Sequence, residues 1–344
     1  MQDDRRNFLK KVGGVGAAVA AVTTIKPPVT VAAASADLRL PGSGQEVKYA
    51  LELDGSFAGW LASAEGGAAV GEVVEETDPT NDGAAEGHVI KKHIAGVKYE
   101  DITVNCGTGM SKAFYEWIKA SFDRKSTRKD GAIHAADFDS NIISTLDFHQ
   151  ALISEIGFPA LDASSKDAAK MTLKFKPETT RHRFTVGSLV ASEKQKQKQW
   201  LTSNFRLRID GLEKACSKVN KIDALTIKQS FVPADDGRVD QKEPGKLEFP
   251  NLKLSLSEGQ SDDFYQWHED FVIKGNNSDK EERAGKLEFL DPANKPLFTL
   301  SLSNLGIFKV APEKTEAGSE NIRRVKAEMY CEDISFKFGD ASWA

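Results

Sequence analysis

The chain has 344 residues, 46 basic and 51 acidic side chains, and a formal net charge of −5. That length accommodates two domains of ordinary size, and an acidic chain with no basic cluster is a poor fit to nucleic acid, whose grip depends on neutralised phosphates. Three cysteines are too few for a disulfide scaffold, although Cys216 and Cys331 could pair, and Cys106 sits on the apolar face of its strand as a buried free thiol would.

At the N-terminus, Asp4-Arg5-Arg6-Asn7-Phe8-Leu9-Lys10 precedes an apolar run from Val12 to Ile25 and then Ala34-Ser35-Ala36. An arginine pair, a Gly/Ala-rich apolar stretch and a small-x-small cleavage site read as a twin-arginine-type signal peptide over residues 1–36, with Arg5, Arg6, Phe8, Leu9 and Lys10 as the export motif. The competing readings are a disordered basic terminus and a short membrane anchor. Pro27 and Pro28 break the run, which is too short and Gly-rich for a stable membrane span. The expectation is export through the twin-arginine translocase to the periplasm or the extracellular space, with cleavage near Ala36. Loss of residues 1–36 removes five basic and two acidic side chains, leaving the mature chain more acidic still.

The first domain, residues 45–187, begins with Leu51-Glu52-Leu53-Asp54-Gly55. The segment 62–87, rich in Gly, Ala and Glu with turn signals at Asp78-Pro79 and Asn81-Asp82-Gly83, reads as a long mobile loop or hairpin. Residues 99–106 alternate as a half-buried antiparallel strand, with Ile102, Val104 and Cys106 on one face. Ser111 is placed to cap a helix on which Phe114, Trp117 and Ile118 form one apolar stripe, with Tyr115 off it. Strands follow at 132–136, 142–148 and 170–176, the first two joined by the turn Asp137 to Asn141.

A linker at 188–203, whose lysines Lys194, Lys196 and Lys198 read as solvated rather than as a phosphate patch, leads to a second domain, residues 204–340, that reads like the first. Leu207-Arg208-Ile209-Asp210-Gly211 matches residues 51–55. An acidic loop at 231–245 stands where 62–87 stood, and Leu252, Leu254 and Leu256 alternate as 102, 104 and 106 do. Phe114-Tyr115-Glu116-Trp117 recurs as Phe264-Tyr265-Gln266-Trp267 at an offset of 150, behind Ser261, and Phe271 extends the second stripe. Strands at 286–290, 297–302 and 324–330 complete the match, the first two around a turn at 291–296. Two tandem homologous copies follow, each a β-sandwich or barrel with one packed short helix, mainly β within an α+β class. Phe114, Trp117, Phe264 and Trp267 form the repeat core.

Tyr99 to Ile118, Lys129-Asp130-Gly131-Ala132-Ile133 and Phe158-Pro159 through Leu161 to Ser165 give the chain a further character. These segments, with 51–55 and 205–211 as first strands, resemble the tail-tube protein family of contractile phages, which is related to contractile injection-system and type VI tube proteins. The chain departs from that family at Leu146 and Phe148, where a Trp is usual, and in the basic strand 170–176. The resemblance implies β-sandwich subunits that close into six-membered rings and stack into a hollow tube, a projecting loop helping ring meet ring. With two copies per chain it implies a trimer of pseudo-sixfold symmetry, with sheath- or baseplate-like proteins as further partners.

An enzyme is not expected. No Gly-x-Ser-x-Gly, phosphate loop or Cys-x-x-Cys is present. His88 and His93 lack helical ligand spacing, and acid pairs such as Glu75-Glu76 and Asp235-Asp236 read as solvated surface. No catalytic residue, cofactor or metal is expected. Besides the self-assembling tube subunit, two readings stay open: an exported binding module recognising a surface or carbohydrate partner through its long loops, and a secreted hydrolase.

Overall fold

The computed structural model describes residues 47–77, 90–125, 127–184, 187–189, 200–233, 242–313 and 323–339. The export motif with the whole of 1–36, most of the 188–203 linker, the end of the segment 62–87 from residue 78 on, and residues 234–241 of the loop at 231–245 lie outside these residues.

In the first half, β1 (Lys48–Leu53) and β2 (Ser56–Gly66) are joined by Asp54 and Gly55, both in the left-handed region at φ +48° and +76°. That sign pattern belongs to the two-residue hairpin turn whose twist suits antiparallel strands. β3 (Ala69–Thr77) and β4 (Ile90–Tyr99) form a hairpin of their own, so the segment at 62–87 is hairpin rather than loop wherever it is described. β5 (Ile102–Cys106) buries alternate residues. Helix α1 (Lys112–Phe122) starts at Ser111, whose hydroxyl accepts from the Phe114 N–H. Then come β6 (Lys129–Ala136), β7 (Asn141–Phe158), β8 (Leu161–Asp162), β9 (Met171–Lys176), β10 (Thr179–Arg183) and β11 (Gly187–Ser188). β7 runs ten residues past its expected end. Its alternation fails at Ala151 to Ser154, all buried, because both faces are covered there.

The second half comprises β12 (Phe205–Ile209), the short α2 (Glu213–Cys216), β13 (Val219–Ile222), β14 (Leu225–Pro233), β15 (Lys242–Glu248), β16 (Leu252–Ser257), α3 (Asp262–His268), β17 (Arg283–Leu290), β18 (Pro296–Pro312) and β19 (Arg324–Phe338). α3 runs into a π-helical turn, Glu269–Ile273. Ser261 does not cap α3 with its side chain: its hydroxyl donates to the Glu258 carbonyl instead. The expected strand at 324–330 continues to Phe338.

β1, β2, β5, β9, β7 and β6 pair in that order and close into an antiparallel barrel. β12, β17, β18, β19, β16 and β13 pair in the sequence β1-β6-β7-β9-β5-β2, but β12 and β13 do not meet, so the second sheet is an open half-barrel. Here Gly211 is left-handed, Asp210 is not, and α2 carries the chain away where Asp54-Gly55 turns it straight back.

The registers agree residue for residue. Leu53↔Gly131 and Leu51↔Ile133 correspond to Ile209↔Gly285 and Leu207↔Leu287. Gly131↔Phe148 corresponds to Gly285↔Leu302, and Val104↔Leu173 to Leu254↔Ala327. Ser140 and Gln150 take positive φ, as do Asn294 and Asn304, each 154 residues on. The fold is mainly β, a barrel and a half-barrel. One continuous buried cluster runs through both halves.

Two glycines separate conformational from packing demands. A Cβ on Gly131 would lie 2.2 Å from the Glu52 carbonyl oxygen and 2.5 Å from the Phe148 ring, whereas one on Gly55 would meet open space. Gly55→Ala should therefore cost only the left-handed penalty, about 1–2 kcal/mol. Gly131→Ala adds a forced separation of β1 and β6 and should lower the urea midpoint further. Equal midpoints would show that these strands part freely.

Candidate assembly interface

Helix α1 buries two faces. Phe114, Trp117 and Ile118 enter the first half, where the Trp117 ring lies 5.5 Å from Phe175 and its Nε1 donates to the Thr127 carbonyl at 2.9 Å. The adjoining flank packs on the second half. Tyr115, which the stripe leaves off the core, is fully buried, with ring centroids 5.3 Å from Phe298 and 5.7 Å from Phe338. Its hydroxyl donates to the Thr108 carbonyl at 2.9 Å. Phe122 stacks on Phe336 at 5.4 Å, and Ser121 Oγ lies 3.1 Å from Gln229 Oε1 on β14. Arg124 pairs with Asp333 at the solvent margin, 3.1 Å away.

Backbone exchange extends this junction. β6 accompanies β7 up to Ala151; beyond it, Glu155 to Phe158 pair with Lys228 to Leu225 of β14. In the other direction, β8 joins the edge of β13, with Asp162 opposite Lys221 and Leu161 opposite Ile222. Behind these strands Phe158 stacks on Phe289 at 5.2 Å, and Trp200 meets Phe289 and Phe298 edge-on. Asp162 fastens the β8–β13 contact. The Ser164 hydroxyl and N–H donate to it at 2.5 and 2.9 Å, and Lys221 Nζ lies 3.0 Å away. Those donors, Ser164 first and Lys221 second, pull its carboxyl down to about 2.

Of the other repeat-core residues, Phe264 and Trp267 are buried in the second half, with the Arg283 guanidinium 4.8 Å above the Trp267 ring. Cys106, Cys216 and Cys331 are all free and buried, and burial pushes their thiols up to about 12, 12 and 11. Cys216 and Cys331 therefore do not pair. Glu52, Asp54, Asp130, Asp147 and His149 line a shallow depression at the β1–β2 turn. Its acids engage Lys129, Gln150 and Arg183. Among the described residues, no three His, Cys, Asp or Glu side chains gather as metal ligands. His134 is held between Thr145 and Glu52. What the sequence left unmarked is the aromatic row Phe158, Phe289, Phe298, Phe336 and Phe338. Phe289 and Phe298 sit on expected strands whose pattern does not say what they would meet, whereas Phe158, Phe336 and Phe338 lie where β7 and β19 run past their expected ends.

Residues 68–181, from the end of β2 into β10, match the family model of the T4-like virus tail tube protein gp19, about a third of the chain. No curated protein matches the chain. Among solved structures, it is similar to a chain of an extracellular contractile injection system, the PVC sheath–tube complex in the extended state. The identity is 16%, covering 40% of this chain and 89% of that one, with a TM-score of 0.34. A chain of the anti-feeding prophage tube-terminating cap shares 16% identity over 44% of this chain and 99% of its own, with a TM-score of 0.33. Hcp1 from Flavobacterium johnsoniae shares 15% identity over 41% and 99%, with a TM-score of 0.25.

A carboxylate with a depressed pKa stabilises the folded chain fully above its unfolded pKa, about 3.9 for Asp, and loses that contribution as pH falls through the folded value. Asp162→Asn should thus lower the urea midpoint at neutral pH, and the gap to the unsubstituted protein should close as pH drops from about 4 towards 2. A gap that stays constant over that window would show that the carboxylate charge does not fasten β8 to β13.

Proposed function

We propose that this chain is the subunit of an exported protein tube. In this assembly two tail-tube-like domains, 45–187 and 204–340, share one polypeptide, and three chains close a ring of pseudo-sixfold symmetry. The observation that carries the proposal is the repeated register: strand order, pairing partners and left-handed positions of the second half follow those of the first at an offset near 154. The match of residues 68–181 to a tail tube protein attaches the first of these units to tube building.

A ring of alternating domains needs heterologous contacts of two kinds, one within a chain and one between chains. The contact within the chain is already of this kind, since α1 and the β7 edge of one half meet β14 and the Phe298–Phe336–Phe338 surface of the other. The segments 62–87 and 231–245 are then left to meet the next ring, and sheath- or baseplate-like proteins are the outer partners. The role is structural, with no chemistry asked of any side chain.

Native mass spectrometry of the folded protein at micromolar concentration should give trimers, and electron microscopy should give rings or stacks. Monomers alone would overturn the assembly and leave a binding module as the better account. For export, changing Arg5 and Arg6 together to Lys should retain a longer precursor inside the cell. Unchanged export, or a mature N-terminus far from Asp37, would exclude the twin-arginine route.

A further inference from the structure

The two halves differ most in what covers their helices. Tyr115 and Phe122 on α1 are 0% and 7% exposed because the second half lies on them. The positions 150 residues on, Tyr265 and Val272, are 36% and 40% exposed. Ile273 beside them and Phe308 on β18, against which α3 and its π-helical turn pack, are exposed as well. Apolar side chains exposed together along one helix and the strand beneath it are the kind of surface that marks a contact site.

The strand edges repeat the difference. On β7 the stretch past Ala151 loses β6 and gains β14 through Glu155 to Phe158. On β18 the equivalent stretch past Leu305 loses β17, and Lys309 to Pro312 have no partner on that edge among the described residues. The segment corresponding to β14–β15 in the first half is β3–β4, which lies between β2 and β5 as β14–β15 lies between β13 and β16. β3–β4 forms a sheet of its own and leaves Val70, Val73, Ile94 and Val97 exposed. The side chains that cover α1 also have counterparts. Phe338, over Tyr115, corresponds to Phe184, which is 80% exposed just after β10, and Phe336, over Phe122, corresponds to His182.

We infer, on the basis of the ring proposed above, that the occupant of this face is a second copy of the chain, docked as the two halves dock within one. The outer face of α3 and the free edge of β18 in one copy receive β3–β4, His182 and Phe184 of the next. The helix face, the strand edge and the hairpin of the buried junction each have an unburied equivalent, and these open elements are complementary rather than identical. They cannot pair face to self across a twofold axis, but they can close head to tail. Pro312 has no N–H to give, which limits the shared ladder to a few bonds and leaves most of the recognition to the apolar side chains.

The test uses the full chain carrying both Tyr265→Cys and Phe184→Cys, treated with a short bismaleimide; the three native thiols are buried and do not compete. Covalent dimers and closed trimers are expected, and none from either single variant. Separately, Val272→Asp should weaken assembly about tenfold or more. His182→Lys added to that chain should restore it, while at a dilution where the unsubstituted protein is itself monomeric both variants should melt where it does, because both side chains belong to the free surface of one chain. Trimers in native mass spectra that give no inter-chain cross-link and ignore Val272→Asp would overturn this interface and leave the ring standing. A protein that is monomeric without any substitution would remove the ring and this interface together.

Discussion

β7 serves two neighbours along a single edge, and the remainder of the structure follows from that. Its N-terminal part is hydrogen-bonded to β6 as one stave of a closed barrel, but β6 ends at Lys129 and β7 does not stop. Buried backbone N–H and C=O groups must find partners, and an unpaired edge next to apolar surface invites another strand. β14 answers both demands at Glu155 to Phe158. In doing so it brings the second half into position, so that Phe289 and Phe336 close over Phe158, Phe298 meets Tyr115, and that flank of α1 becomes interior. The left-handed Gln150 marks the place where β7 passes from one neighbour to the other.

Much of this was legible in the sequence because its strands, helix and turns carry plain periodicities in both halves. Strand faces at 102, 104 and 106 and at 252, 254 and 256, the stripe Phe114–Trp117, and the turns at 137–141 and 291–296 all announce themselves through alternation or turn chemistry. Tyr115 did not, since it lies on the flank of the stripe, between the apolar side and the polar face of Lys112, Glu116 and Lys119, and only the second half covers that flank. The extension of β7 was hidden too: a strand covered on both faces stops alternating at Ala151 to Ser154. The failure of β12 to meet β13 was invisible because Asp-Gly occurs at both turns. Only the residues after it, beginning with Leu212 and Glu213, decide whether the chain returns or coils.

The junction is mostly apolar, with polar devices placed at its margins. Arg124–Asp333 and Lys221–Asp162 lie where water still reaches, and exposed ion pairs of this sort contribute little to stability but fix alignment. Inside, aromatic rings meet in tilted, stacked and edge-on arrangements, whose preferred geometries constrain the angle between the halves more tightly than aliphatic contacts would.

The exchange of β8 one way and β14 the other has a consequence for how the chain reaches its native state. Neither half completes its own sheet edges without a strand from the other, so the polypeptide emerging first must wait, with the late part of β7 and the outer face of α1 uncovered, until the second half has been synthesised. Contacts of such long sequence separation close slowly. During that interval the nascent first half is at its most vulnerable to association through open strand edges. Once both exchanges have formed, pulling on either end loads two crossed β-ladders at once, and the halves resist separation as a laced seam does rather than peeling apart one after the other.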